Sequence, residues 1–452
     1  MLANGIAILT SLIEGLAALV DTRPITASDR ERAALHLLDW IGCATAGAAS
    51  EVGSVFRRHA SRLPAGPARV ILGGGVQARD AAFANGAFGN VLEMDDVHRE
   101  AILHPGPVIM PTALAIAVEA DAMGPTLLDA IIRGYEVEIR IGRSMGHAHY
   151  RQFHPTATCG PFGAAAAAAS LLELDQQRIV WALGNAGTQA GGVWQCRAEP
   201  VMTKQLHTAR AAVMGLEAAV LAEYGLSGPR EILEGSLGVF AGLAPDAVPD
   251  QVLAHPDAPW LVHATSFKPW AACRHCHATI DAALALRDWV DNRPIRTVTV
   301  AAYADAVAFC DRVQPRSVNE AKFSLQHASA ITLLKGPPPL EAFEPASFRD
   351  EAVASLRARV TLHRDEAYTA AYPARFGSSV TVELETGECR HAAVPDALGD
   401  PENPLPREAI IDKARILMAS AGVASARIDA VIAAVLALPD GASAASLNTI
   451  LP

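Results

Sequence analysis

Apolar positions over the first 265 residues recur at three- and four-residue spacing, the pattern of helices that each bury one face. Ile6, Leu9, Ile13, Leu16 and Val20 share such a face near the start of the chain. In "DRERAALHLLDWIGCATAGA", Asp29 reads as an N-cap and Leu35, Leu38 and Ile41 as the buried stripe. "PTALAIAVEADAMG" and "GPTLLDAIIRGYEVEIRIGRSMG" repeat the pattern, the second closing on Gly146. "GPFGAAAAAASLLEL" is dense in alanine, a composition that lets two helices approach closely, and "TARAAVMGLEAAVLAEYG" reads as a further buried helix.

Alternation with period two comes late. It marks strands in 295–303, 357–365 and 378–388, the last ending in a turn at Thr386-Gly387. The proline-rich segment 394–406 then leads back into helix, "REAIIDKARILMASAG" and "SARIDAVIAAVLALPD". At 452 residues the chain exceeds one ordinary core. The predicted fold is mainly α: a large helical domain of residues 1–268 completed by 396–452, with a smaller α+β domain, residues 269–395, inserted as a lid.

A net charge of −11 argues against nucleic acid or an anionic membrane surface as partner. The apolar N-terminal stretch lacks a basic leader, is interrupted by Glu14 and falls short of a membrane span, so a cytoplasmic protein is expected. This matters for "CRHCH", where Cys273, Cys276 and His277 spell the attachment signal of a c-type haem. Covalent haem attachment follows export, and no second Cys-x-x-Cys completes a zinc site. The seven cysteines are scattered and odd in number, as reduced thiols are. No metal is expected.

Four segments hold more polar residues than packing requires. The first groups Glu93, Asp95, Asp96, His98 and His104. Clustered carboxylates repel one another and call for cations or a function. The second carries His147 and His149, read as surface histidines, and His154, whose backbone the following proline pushes extended. In the third, Lys204, His207 and Arg210 lie three apart on one helical face, a basic stripe that suits an anion. The fourth holds Lys268, Arg274, His275 and His277. No phosphate-binding loop or nucleophile elbow is present. Histidine as base, a second acid, and lysines or arginines on carboxylates add up to proton transfer on a small anionic molecule.

Taken in order, "DAAFANGAFGNVLEMDD", "HPGPVIMPTALA", "FHPTATCGPFGAAAAAA", "MTKQLHTARAAVMGLEAAVLA", "FKPWAACRHCHATIDAAL" and "EAKFSLQHASAITLLKG" resemble the MmgE/PrpD family, which includes 2-methylcitrate dehydratase, cis-aconitate decarboxylase and iminodisuccinate epimerase. The resemblance spans nearly the whole chain. It implies the helical-plus-lid fold above, a homodimer, a small carboxylate substrate, and no metal or organic cofactor. It places active-site residues at Asp95, Asp96, His104, His154, Lys204, Lys268 and His277. Taken with the four polar segments, catalysis is expected of His104, His154, Lys204, His277 and Asp95, and substrate binding of Glu93, Asp96, Lys268, Arg274 and His327. In this assignment His154 or His104 removes a carbon-bound proton, Lys204 and Lys268 stabilise the enolate-like charge, and His277 protonates a departing hydroxyl. Asn90, Glu93 and Val97 stand where the family commonly has His, Asp and Thr, and His327 where many members have Tyr. The implied activity is a lyase, first a dehydratase of a small di- or tricarboxylic acid; epimerisation or decarboxylation on the same scaffold are the alternatives.

Overall fold

A computed structural model of the protein describes residues 10–199 and 201–452. Two compact units emerge. The larger takes the described part of Met1–Asn90, Ala101–His263 and Ala414–Pro452; the smaller takes Val91–Glu100 and Ala264–Lys413. The fold is mainly helical.

In the larger unit the chain runs α1 (Leu12–Thr22), α2 (Ala27–Ala49), α3 (Glu51–Ala60), a short antiparallel pair β1 (Ala65–Arg69) and β2 (Gly75–Val76), then α4 (Ala78–Phe88), α5 (Gly106–Glu119), α6 (Gly124–Ser144), α7 (Gly146–Gln152), α8 (Pro155–Leu171), α9 (Gln176–Gly187), α10 (Gln195–Ala198), α11 (Thr203–Glu223) and α12 (Val239–Leu243). Capping boxes start the first two helices. Ser11 and Glu14 exchange bonds at α1, which gives the Glu14 that interrupts the apolar run a local task. At α2 the N-cap is Thr26, not Asp29. The Thr26 hydroxyl accepts from the Asp29 amide, and the Asp29 carboxylate, three residues on, accepts from the Thr26 amide at 2.7 Å. Ile6 and Leu9 lie outside the described residues.

The alanine-rich α8 is the centre of this unit, packed against α6 and α11 with α5 and α9 beside it. Close approach is possible because the facing positions are small. A Cβ at Gly215 of α11 would collide with Ala164 and with the Pro161 carbonyl of α8.

The smaller unit contains α13 (His277–Val290), β3 (Ile295–Ala302), α14 (Ala304–Cys310), α15 (Val318–Lys322), α16 (Leu325–Lys335), α17 (Pro345–Phe348), α18 (Glu351–Arg357), β4 (Val360–Arg364), α19 (Glu366–Ala371), β5 (Ser378–Leu384) and β6 (Cys389–Val394). Its sheet has the order β4-β3-β5-β6, with β4 parallel to β3 and the other pairs antiparallel. Val298 and Val300 of β3 and Val380 and Val382 of β5 are fully buried, and α13 packs on β5 and β6. The stretch read as one strand over 378–388 ends at Leu384; Gly387, at φ +87°, turns the chain into the separate strand β6. The strand read from 357 begins at Val360 because α18 runs to Arg357. Helices α20 (Arg407–Ser420), α21 (Ser425–Leu436) and α22 (Ala444–Ile450) complete the chain.

These divisions differ from the expected 1–268, 269–395 and 396–452 for a physical reason. Val97 and Ser266 exchange backbone hydrogen bonds at 3.0 and 2.8 Å, the Arg99 guanidinium pairs with Asp396 and Glu402, and Lys413 Nζ donates to the Met94 carbonyl at 2.6 Å. Residues 91–100 and the segment up to 413 are thereby bonded into the smaller unit.

Gly215→Val is expected to lower the unfolding free energy by about 2–3 kcal/mol through overpacking against α8. Gly242→Ala, where no heavy atom lies within 4 Å of the added carbon, should change it by less than about 0.5 kcal/mol. Urea denaturation followed by tryptophan fluorescence reads both.

Candidate active site

In the smaller unit, candidate residues gather around the turn of Val91–Glu100. Glu93 has φ +58°, a left-handed conformation uncommon for a residue with a side chain. The carbonyls on either side of it are both held by ammonium groups: Lys322 Nζ donates to Leu92 O at 3.2 Å, and Lys413 Nζ to Met94 O. So held, the turn aims Glu93 and Asp95 at the fully buried Lys268, whose Nζ lies 3.8 Å from one carboxylate and 3.4 Å from the other. Asp96 is buried in the same turn. Arg274 forms an ion pair with Asp400, which also accepts from Ser266 Oγ at 2.6 Å.

His277 opens α13 and is fully buried. Its Nε2–H donates to the Ala272 carbonyl at 3.0 Å, and Nδ1 has no hydrogen-bond partner. Burial, helped by the charges of Arg274, Lys268 and Lys413, holds its pKa well below the ordinary histidine value. This corrects the acid role. At neutral pH the ring is uncharged, its one N–H is committed to Ala272, and what it presents is a lone pair. The neighbouring Cys273 and Cys276 are buried free thiols, and Cys276 Sγ donates to the Lys322 carbonyl at 3.8 Å. Among the described residues no three His, Cys, Asp or Glu side chains are grouped to hold a metal ion.

His327 sits elsewhere in this unit. Its Nε2–H donates to Ala342 O at 2.8 Å, Nδ1 accepts from Arg357 Nη1 at 3.4 Å, and Phe343 packs edge-on. Both nitrogens serve the interior, leaving neither for the substrate-binding role expected of it. His275 is likewise a core residue, bonded to the Tyr303 hydroxyl and stacked on Phe376.

The larger unit brings together His104, His154 and Lys204. The His104 amide donates to Thr156 Oγ1 at 3.0 Å, which ties the loop before α5 to the first turn of α8. His154 is the N-cap residue of α8, extended before Pro155, and its own amide donates to Gly192 O at 2.8 Å. Its ring stacks on Trp194 with centroids 4.3 Å apart. Its Nδ1 lies 3.3 Å from Nδ1 of His207, which stands one turn after Lys204 on α11. Burial and the Lys204 charge lower the His207 pKa. The sequence places His207 in the basic stripe with Lys204 but gives no signal that pairs it with His154. Arg210, the third member of that stripe, is exposed. His147 is exposed as expected. His149 is not a surface residue: it is 1% exposed, with one ring nitrogen on Leu243 O and the other on Thr158 Oγ1.

The family model of the MmgE/PrpD N-terminal domain matches residues 14–251, and that of the C-terminal domain matches residues 270–438. Similar proteins include a cis-aconitate decarboxylase-like protein of Aspergillus oryzae, 29% identical over 402 residues, which is 82% of either chain. The cis-aconitate decarboxylase of Aspergillus terreus is 28% identical over 441 residues, 91% of this chain and 89% of that one. The Homo sapiens cis-aconitate decarboxylase is 28% identical over 358 residues, 74% and 72% of the two chains.

Histidines kept neutral by burial make stability depend on pH. His277 and His149 titrate below the ordinary value, and His327 is pushed down to about 4. The unfolded chain therefore binds protons first. Stability is complete above about pH 6.5 and falls as the pH drops from there towards 4. His327 alone accounts for about 3 kcal/mol of that loss. Urea titrations at pH 7, 6, 5 and 4.5 should show the decline, and His327→Gln should flatten it.

Proposed function

Because the chain belongs to the MmgE/PrpD family, we propose that it is a cofactor-independent lyase that removes water from a small hydroxy di- or tricarboxylic acid. The observation that carries this reading is His277, a buried ring with one bare acceptor nitrogen and the cations Arg274, Lys268 and Lys413 acting on it. An acceptor among cations is the complement of a hydroxyl among carboxylates. In the reaction, His154 takes the carbon-bound proton next to a carboxylate, and Lys204 and Lys268 stabilise the enolate-like charge. His104 gives a proton to the hydroxyl, which leaves as water, while His277 accepts a hydrogen bond that orients the hydroxyl beforehand. Glu93 and Asp95 hold the Lys268 ammonium by ion pairing, and Asp96 and Arg274 line the substrate's surroundings.

Decarboxylation of an unsaturated tricarboxylic acid is the second reading, supported by the names of the similar proteins. The same lysines would stabilise the carbanion left by carbon dioxide, and an acid would then protonate it. A cytoplasmic homodimer completes either version; no described helix is long and apolar enough to cross a membrane.

Proton NMR in deuterated water on a panel of hydroxy acids and unsaturated tricarboxylates separates these outcomes. Dehydration yields new vinylic signals with the carbon count unchanged. Carbon dioxide release with deuterium at the vacated carbon would replace the first reading by the second, and exchange without loss of any group would indicate epimerisation. His154→Ala and Lys268→Ala should each lower turnover on the order of a hundredfold or more. The exposed His147→Ala should leave it unchanged.

A further inference from the structure

We infer that Asp281 is a positioning residue for the site of the smaller unit: it fastens the segment 398–400 to α13 and thereby fixes Lys268 and Arg274 relative to His277. The inference rests on the proposed reading in which Lys268 and Arg274 face an acid substrate. Asp281 itself has no part in the proton transfers of that reading.

Asp281 lies one turn after His277 on α13. Its carboxylate accepts at both oxygens, from donors far apart in the chain: Trp270 Nε1–H donates to Oδ1 at 3.0 Å, and the Leu398 amide to Oδ2 at 2.7 Å. Partial burial raises its pKa, and the two bonds work against that rise. Each donor belongs to a stretch that carries the site. Trp270 stands between Lys268 and Arg274 in the chain. Leu398 is followed by Gly399, whose carbonyl accepts from the Phe267 amide at 3.0 Å. Next comes Asp400, which forms the ion pair with Arg274 and accepts from Ser266 Oγ at 2.6 Å. Gly399 permits the close approach: its φ is +95°, and a Cβ there would collide with the Phe267 carbonyl. The residue before Lys268 and the side chain of Arg274 are therefore both tied to 398–400, and Asp281 ties 398–400 to the helix that begins with His277.

The two cations are the groups that need such a constraint. Apart from its ion pair with Asp400, Arg274 makes no hydrogen bond among the described residues at any of its three guanidinium nitrogens, all of them buried. The Lys268 ammonium likewise has its ion pairs with Glu93 and Asp95 but no hydrogen bond among the described residues. Buried donors in this state are costly until a ligand takes them, and a carboxylate is the group that suits both cations. Their use depends on placement, because an error of about 1 Å in the position of a binding group is enough to cost most of its effect. Asp281 supplies the placement from outside the cations, through Trp270 and Leu398.

The test compares carboxylate binding in folded variants. Tricarballylate, a saturated tricarboxylate with no hydroxyl or double bond to react, serves as the probe in isothermal titration calorimetry, beside kcat and KM for any acid of the panel that turns over. Trp270→Phe removes one donor and keeps an aromatic ring; Asp281→Asn keeps one acceptor and turns an N–H against the other donor. Tricarballylate binding should weaken roughly threefold in Trp270→Phe and about tenfold in Asp281→Asn, with KM rising by similar factors. Gly399→Ala, which presses on the same junction from the Phe267 side, should reproduce the loss. Trp270→Phe, the milder change, carries the test if Asp281→Asn does not fold. If the variants lower the unfolding temperature while binding, kcat and KM of the folded protein keep their wild-type values, Asp281 serves only the fold and the inference fails. Lys268→Ala separates the two claims. If the wild type does not bind tricarballylate, or Lys268→Ala binds it equally well, the reading of the site falls and the inference with it. If Lys268→Ala loses binding while Asp281→Asn and Trp270→Phe keep it, the inference alone falls.

Discussion

A charge removed from water must find its compensation inside the protein, and the smaller unit is arranged around that requirement at Lys268. The fully buried ammonium has two carboxylates within 4 Å, Glu93 and Asp95, from a turn bent through a left-handed residue. Lys322 and Lys413 hold the carbonyls on either side of that residue. Buried cations therefore act at two levels here. One is the partner of the acids, and two keep the acids where the partner needs them. Arg274 with Asp400, and Arg99 with Asp396 and Glu402, extend the same logic to the segment around 400.

The larger unit solves a different problem, and does so by removing side chains. Alanine and glycine on α8 and α11 bring two backbones close enough to leave no space between them, and the polar groups collect at the helix ends. His154 at the start of α8 and His207 in the second turn of α11 face each other for that reason. Gly192 supplies the carbonyl that receives the His154 amide, and bulk there would press on Ala157. One unit positions its chemistry by buried charge, the other by close packing.

Much of this could be read from residue order. The helical periodicity, the alanine run, the late alternation of β3 and β5 and the four polar segments all carry local signals, because burial on one face leaves a period in the sequence. What escaped depends on contacts that leave no period in the sequence. The tautomer of His277 is set by a carbonyl five residues earlier, and the burial of His149 by Leu243 and Thr158. His327 looked available only because Ala342 and Arg357, which occupy its ring, have no local pattern linking them to it. The assignment of residues 91–100 to the smaller unit likewise rests on bonds to positions 266 and 413.

The left-handed residue at 93 also bears on attempts to make the protein more robust. Replacing a strained, non-glycine position by glycine or asparagine is a common route to higher thermal tolerance. At Glu93 that route trades backbone relief against half of the negative charge facing Lys268. A stabilised protein obtained this way would carry a buried ammonium with one counter-ion fewer. Heat resistance and the electrostatic state of the site are coupled through a single torsion angle, so selection for one would be felt in the other.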